Sequence, residues 1–184
     1  STPKPSSAAS DVYKRQTLDM VKSDLAELLE DDGWLTGSGA DYLELELEDG
    51  LPEVTADRER TVQVMMNIVS NSIKYTPNGG HILVSAGREG DRVWMQVDDD
   101  GIGIPPKDRP RIFERFYWVD KARSRESGGT GLGLSIAKWI VDRHGGWFEV
   151  RSWPGVGTRM TIVLPVAELD AGGADEDAEQ TRSA

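Results

Sequence analysis

Leu18, Val21, Leu25 and Leu28 recur at spacings of three and four, the period of a helix with one apolar face. Leu43, Leu45 and Leu47 then alternate with Glu44, Glu46 and Glu48, the period of a half-buried strand. Asp57 is placed to cap a helix running to about Tyr75, where Pro77 and the Asn78-Gly79-Gly80 turn stop it. Strands are expected near 81–87 and 91–98, joined by a glycine turn at 88–90, with Val93, Met95 and Val97 on one face. A further helix is expected from Gly131 to His144, ended by Gly145-Gly146, with two more strands near 147–151 and 158–164. Helices interleaved with strand pairs predict an α/β sandwich, a sheet with helices on one face. The irregular stretch 99–130 is too long for an ordinary connection, and its glycines favour a functional lid over 106–130.

Composition narrows the classes. With 184 residues and 38% apolar side chains, the chain is long enough for one domain with its own core. It has no cysteine, which removes disulfides, thiolate zinc sites and thiol nucleophiles together. Its two histidines, His81 and His144, are too separated to suggest a histidine metal site. The longest apolar runs, such as 162–164, fall far below the roughly 18 residues of a membrane span, so no membrane contact is expected of this segment. A net charge of −11 argues against non-specific nucleic-acid binding.

Charge also marks segments. Residues 1–16, poor in large apolar side chains, are taken as a linker or leftover, and 17–165 as the domain. Residues 166–184 carry six acids and one base, the composition of an acidic disordered tail. Over 107–125 the trend reverses: seven bases face Asp108, Glu114 and Asp120, for a net +4. That suits a nearby anionic ligand, and it equally suits a solvated loop.

Three clusters can carry chemistry. On the 57–75 helix, at about 100° per residue, Asn67, Asn71 and Lys74 form a polar stripe opposite a face of Val62, Met65, Met66, Val69 and Ile73. Val64, Ile68 and Tyr75 flank the stripe, which therefore suits a partly buried polar ligand as well as ordinary solvent. An Asn carbonyl is a hard oxygen donor for Mg²⁺, and a Lys suits phosphate. In the second cluster, Asp98-Asp99-Asp100-Gly101-Ile102-Gly103, a strand delivers carboxylates and glycines allow close backbone approach. A carboxylate accepts from an amino group such as that of adenine; a solvated turn is the alternative. The third, Gly128-Gly129-Thr130-Gly131-Leu132-Gly133-Leu134-Ser135, opens a helix and offers successive N–H groups to an anion. It lacks the Gly-Lys-Ser/Thr of a P-loop and does not follow a strand as the dinucleotide fingerprint does.

The order and wording of these pieces match a family. Asn67-Ile68-Val69-Ser70-Asn71-Ser72-Ile73-Lys74-Tyr75 resembles the N box of sensor histidine kinases, and Asp99-x-Gly101-x-Gly103 their G1 box. Arg111-Ile112-Phe113-Glu114-Arg115-Phe116-Tyr117 resembles the F box, Gly129-x-Gly131-x-Gly133-Leu134 the G2 box, and Gly155-x-Gly157-Thr158 the closing glycine-threonine motif. The resemblance covers roughly 17–165 and implies the Bergerat ATP-binding fold shared with gyrase- and MutL-type ATPases of the GHKL superfamily. That fold is a mixed sheet backed by helices, with ATP-Mg²⁺ beneath a lid.

By position, the resemblance makes Asn71 the magnesium ligand, Asn67 its neighbour and Lys74 a phosphate contact, with Tyr75 against the nucleotide. Asp99 would hold the adenine amine, with Thr158 behind it through water. Gly101 and Gly103 belong to that same binding motif. Gly129, Thr130, Gly131, Leu132 and Gly133 would shape the lid and the turn beside the phosphates. Phe113, Phe116 and Tyr117 are taken as lid-anchoring core.

Two positions depart from the pattern. Asp100 stands where the family usually has Asn, adding negative charge near the triphosphate. Trp118 stands where a basic residue is usual, so Arg115, Lys121, Arg123 or Arg125 would have to supply that phosphate contact. Neither His81, entering a strand, nor His144, ending a helix, resembles a phosphoacceptor, and both are taken as structural. The expected function is therefore donation of the γ-phosphoryl of ATP to a histidine on a separate dimerisation domain, upstream of a response regulator. The expected location is the cytoplasmic part of a membrane-anchored sensor. A MutL- or gyrase-like ATPase would place Glu where Asn67 stands, since an amide cannot take a proton from water; a non-catalytic nucleotide-binding signalling module is the other alternative.

Overall fold

The computed structural model describes residues 15–31, 43–119 and 130–167. β1 (Arg15–Thr17) leads into α1 (Leu18–Asp31), β2 (Leu43–Leu47), β3 (Glu53–Thr55), α2 (Arg58–Tyr75), β4 (Ile82–Glu89) and β5 (Arg92–Asp99). After a 3-10 turn at Arg109–Arg111 come α3 (Gly133–Arg143), β6 (Trp147–Trp153) and β7 (Gly157–Pro165). Five strands form one sheet in the order β2-β4-β5-β7-β6, parallel between β2 and β4 and antiparallel elsewhere. A parallel pair needs a crossover, and α2 provides it. β1 and β3 pair as a separate antiparallel ribbon. This mixed sheet with its helices is the expected α/β sandwich.

One face of the sheet is apolar because its strands alternate. Ile82, Val84 and Ala86 of β4, Val93, Met95 and Val97 of β5, and Met160, Ile162 and Leu164 of β7 are buried. The helices supply Leu18, Val21 and Leu25 from α1, Val64, Met65 and Ile68 from α2, and Ala137, Ile140 and Val141 from α3. Each large apolar side chain so buried contributes about 1.5–3 kcal/mol before its ordering cost. On the opposite face, Trp94, Gln96 and Asp98 stay half exposed. There Trp94 lies over Gly87, where an added Cβ would come within 2.5 Å of the indole.

Asp57 caps α2 as expected, accepting from the Arg60 backbone N–H at 3.0 Å. Arg58 forks onto Asp24 of α1 through two hydrogen bonds of 2.5 Å, which hold the Asp24 carboxyl below its usual range. His144, at the end of α3, joins the two helix ends. Its Nε2 accepts from the Asp57 N–H at 3.0 Å, so Nδ1 carries the proton and donates to the Ile140 carbonyl at 2.6 Å. Its structural assignment holds.

The structure corrects two helix faces. On α1 the stripe ends at Leu29, which is 0% exposed, while Leu28 is 40% exposed. Eleven residues are close to three full turns, so Leu29 and not Leu28 returns beneath Leu18. On α2 the buried set is Thr61, Val62, Val64, Met65, Ile68, Val69 and Ser72, whereas Met66 and Ile73 are only partly covered. The core face is therefore rotated toward the asparagine stripe, because α2 packs against α1 and α3 as well as the sheet. At the domain edges, β1 begins at Arg15, ahead of the expected start, and Ala167 N still bonds Glu53 O at 2.8 Å.

Candidate functional site

The rotation of α2 sets Asn67, Asn71, Lys74 and Tyr75 along the rim of the core, where they line a cavity of about 620 Å³. The C-terminal end of β5 brings Asp99 to it, and β7 brings Thr158, the register partner of Asp99. Gly103, Thr130, Gly131 and Gly133 complete its expected lining. Two expected residues do not line it. Gly101 sits behind the carboxylate, donating its N–H to Asp99 Oδ1 at 3.0 Å, and Leu132 caps α3. Gly129, like Lys121, Arg123 and Arg125 and the lid segment 120–129 they belong to, lies outside the described residues.

The lining of the cavity mixes polar and apolar groups. On α2, Asn67 Nδ2 donates to the Gly133 carbonyl at 3.1 Å, fixing the carboxamide against the first turn of α3. Lys74 Nζ stands 5.3 Å from the Tyr75 ring centre and 4.8 Å from that of Trp118. Ile102, Ile104 and Met160 line the same cavity as Asp99 and make part of its wall apolar. Burial raises the Asp99 carboxyl above the ordinary carboxylate range. Hydrogen bonds involving the Ser72 side chain and the backbones of Gly101 and Thr158 oppose that shift, while the charge of Asp100 adds to it. A half-buried acceptor among apolar cavity residues suits the amino edge of a purine.

Close backbone approach shapes the chain around Asp99. At Gly157, φ is +146° and an added Cβ would lie 2.0 Å from the Asp99 carbonyl. At Gly103, φ is +71° and the same atom would meet the Trp153 carbonyl at 2.1 Å. Behind them Ser152, 0% exposed, receives the Ile104 N–H at 2.8 Å and shares a 2.8 Å hydrogen bond with Thr158 Oγ1. Sequence reasoning missed Ser72 and Ser152. Ser72 adjoins the asparagine stripe but falls on the core side of α2; Ser152 had no signal, as one serine in an alternating strand.

Asp100 is not among the cavity residues; its Oδ1 accepts the His81 backbone N–H at 2.6 Å. The expected extra charge at the triphosphate is thus directed to the start of β4. The F-box aromatics divide. Phe113 packs against Phe148 with ring centres 5.0 Å apart, and the Tyr117 hydroxyl donates to buried Asp108. Phe116 is the correction: its side chain is 66% exposed at φ +59° and is not core, while its backbone N–H bonds the Gly131 carbonyl at 2.9 Å.

Magnesium binding is compatible with these donors. No group of three or more His, Asp or Glu side chains gathers among the described residues. Mg²⁺ bound with a nucleotide characteristically takes one or two protein oxygens and completes its shell with phosphate and water. The carboxamide oxygens of Asn67 and Asn71 fit that requirement.

Comparison with known proteins agrees in extent and kind. Residues 56–168 match the family described as histidine kinase-, DNA gyrase B-, and HSP90-like ATPase. The chain is 47% identical over 125 residues to the sensor histidine kinase WalK of Bacillus subtilis, covering 67% of this chain and 20% of WalK. It is 42% identical over 146 residues to the sensor-like histidine kinase SenX3 of Mycobacterium tuberculosis, covering 78% of this chain and 35% of that protein. Among solved structures it is similar to the mycobacterial sensor histidine kinase MprB, with a TM-score of 0.69 and 28% identity over 85% of this chain and 100% of that one. It is also similar to the histidine kinase domain of the E. coli osmosensor EnvZ, with a TM-score of 0.62 and 34% identity over 88% and 93%. The chain spans about a fifth to a third of the length of these curated relatives.

Proposed function

Because the chain belongs to the histidine kinase-, DNA gyrase B-, and HSP90-like ATPase family, we propose that it is the ATP-binding catalytic domain of a sensor histidine kinase. One observation carries the reading: a single cavity is lined both by the carboxamides and ammonium of α2 and by a half-buried carboxylate of β5. Asp99 accepts from the adenine amine, the apolar wall covers the base, and Lys74 meets the phosphates. Asn71, with Asn67 beside it, would hold magnesium, which when bound neutralises phosphate charge. The chain's own residues then orient the γ-phosphoryl for in-line attack by a histidine nitrogen of a separate dimerisation domain. Catalysis of this kind rests on positioning and charge stabilisation. Asn67 holds the place of a basic carboxylate and cannot activate water, which favours transfer to a protein acceptor over hydrolysis. A response regulator would receive the phosphoryl group next.

Calorimetry with a non-hydrolysable ATP analogue tests the site. Binding should require Mg²⁺ for full affinity, weaken at least tenfold in Asn71→Ala, and disappear with the GTP analogue, whose base presents an acceptor to Asp99. Equal affinity for the mutant or for the guanine analogue overturns the assignment.

A further inference from the structure

Trp118 is the cavity residue that the family pattern leaves unexplained. Its indole lines the cavity beside Lys74, whose ammonium lies 4.8 Å from the ring centre, within the range of a cation–π contact. The same indole also rests against Gly131. That glycine has φ +73°, and a Cβ there would come within 2.9 Å of Trp118 Cζ2. The ring thus touches both the lysine of α2 and the turn leading into α3. A residue that would ordinarily add a positive charge instead occupies one already present.

We propose that Trp118 is a specificity-determining residue, the resting partner of Lys74, which a phosphate must displace from the ring face to bind. The inference rests on the nucleotide site proposed above and deepens it. A phosphate oxygen offers Lys74 a charge-assisted hydrogen bond, stronger than the quadrupole of a ring, so the exchange runs forward for phosphorylated ligands. Adenosine carries nothing that competes for the ammonium and leaves the contact intact. Trp118 therefore lowers affinity only for ligands that reach Lys74, narrowing the margin by which ATP is preferred over the bare nucleoside.

Two measurements test this. With lysine labelled at Cε, the Lys74 methylene should be ring-current shifted upfield in the ligand-free protein, shifted less in Trp118→Leu, where only the Tyr75 ring remains near it, and released from Trp118 by ATP but not by adenosine. In calorimetry, Trp118→Leu should raise the ratio of ATP to adenosine affinity by roughly two- to fivefold, the worth of one such contact. The same substitution in a Lys74→Met background should leave the ratio unchanged. A ring that only packs against Gly131 would alter both ligands alike and show no dependence on Lys74. An unshifted methylene in the empty wild type, or an equal ratio in Trp118→Leu, overturns the proposal while leaving the nucleotide site standing. A wild type that binds no adenine nucleotide removes that site and the exchange with it.

Discussion

Asp99 is held in the cavity against its own solvation preference. Its carboxyl is raised by burial, so the folded protein binds that proton more tightly than the unfolded chain. A raised value stabilises the fold below the unfolded pKa, and the contribution fades as pH rises through the folded one. At neutral pH the empty domain therefore carries a desolvation cost, only partly offset by the Ser72, Gly101 and Thr158 hydrogen bonds, that Asp99→Asn relieves. We expect that variant to melt at a higher temperature than wild type without ligand, yet to bind ATP about tenfold more weakly, since a charge-assisted hydrogen bond becomes a neutral one. A variant that melts lower, or binds equally well, contradicts this account. Nucleotide affinity should also fall as pH drops through the raised Asp99 value, because a protonated carboxyl no longer accepts freely. Comparison with Asp99→Asn removes the titration of the ligand itself. The charge of Asp100 contributes to the upward shift, yet its own carboxylate serves the His81 amide outside the cavity. Asp100→Asn should accordingly move the acid limb to lower pH and change affinity at neutral pH by less than about threefold. A large loss at neutral pH would place Asp100 at the phosphates after all.

The helices offer a sharper test of how the core is built. Leu28 and Leu29 are adjacent and chemically identical, but Leu29 is 0% exposed and Leu28 40%. Leu29→Ala should cost about 2–5 kcal/mol in denaturant unfolding and Leu28→Ala less than about 1 kcal/mol. Comparable losses would show that α1 presents a different face. Long periodic elements were legible because their period repeats several times: α2, β4, β5 and β7 stand where the alternation of residues such as Val93, Met95 and Val97 put them. β1 and β3 were not, since three residues each give no period, and their pairing joins chain segments far apart in sequence. The asparagine stripe was legible as a face but not in its direction. A wheel ranks residues around one axis, whereas burial on α2 is decided jointly by the sheet, α1 and α3. Gly101 was readable as a close-approach position, but that it serves Asp99 from behind required the fold.

At the scale of the whole molecule, the proposed reading has the site position a phosphoryl group, and the two histidines lie outside the cavity that would hold it. Neither His81 nor His144 lines the cavity. His144 has both ring nitrogens engaged between the ends of α2 and α3, while His81 opens the turn into β4 with its backbone N–H on Asp100. In-line transfer needs the attacking nitrogen at about 3–3.5 Å from phosphorus, so the proposed function calls for a substrate histidine on another structural unit. The chain incubated alone with γ-labelled ATP should acquire no acid-labile phosphate and release phosphate no faster than a control without protein. Adding a two-helix dimerisation domain that carries a histidine should produce label on that domain, and Asn71→Ala should remove most of it. Label on His81 or His144 would mean that the fold opens further than the packed helix ends suggest. Steady phosphate release without an acceptor would instead place this chain with the hydrolysing members of its family, and would require a base other than Asn67.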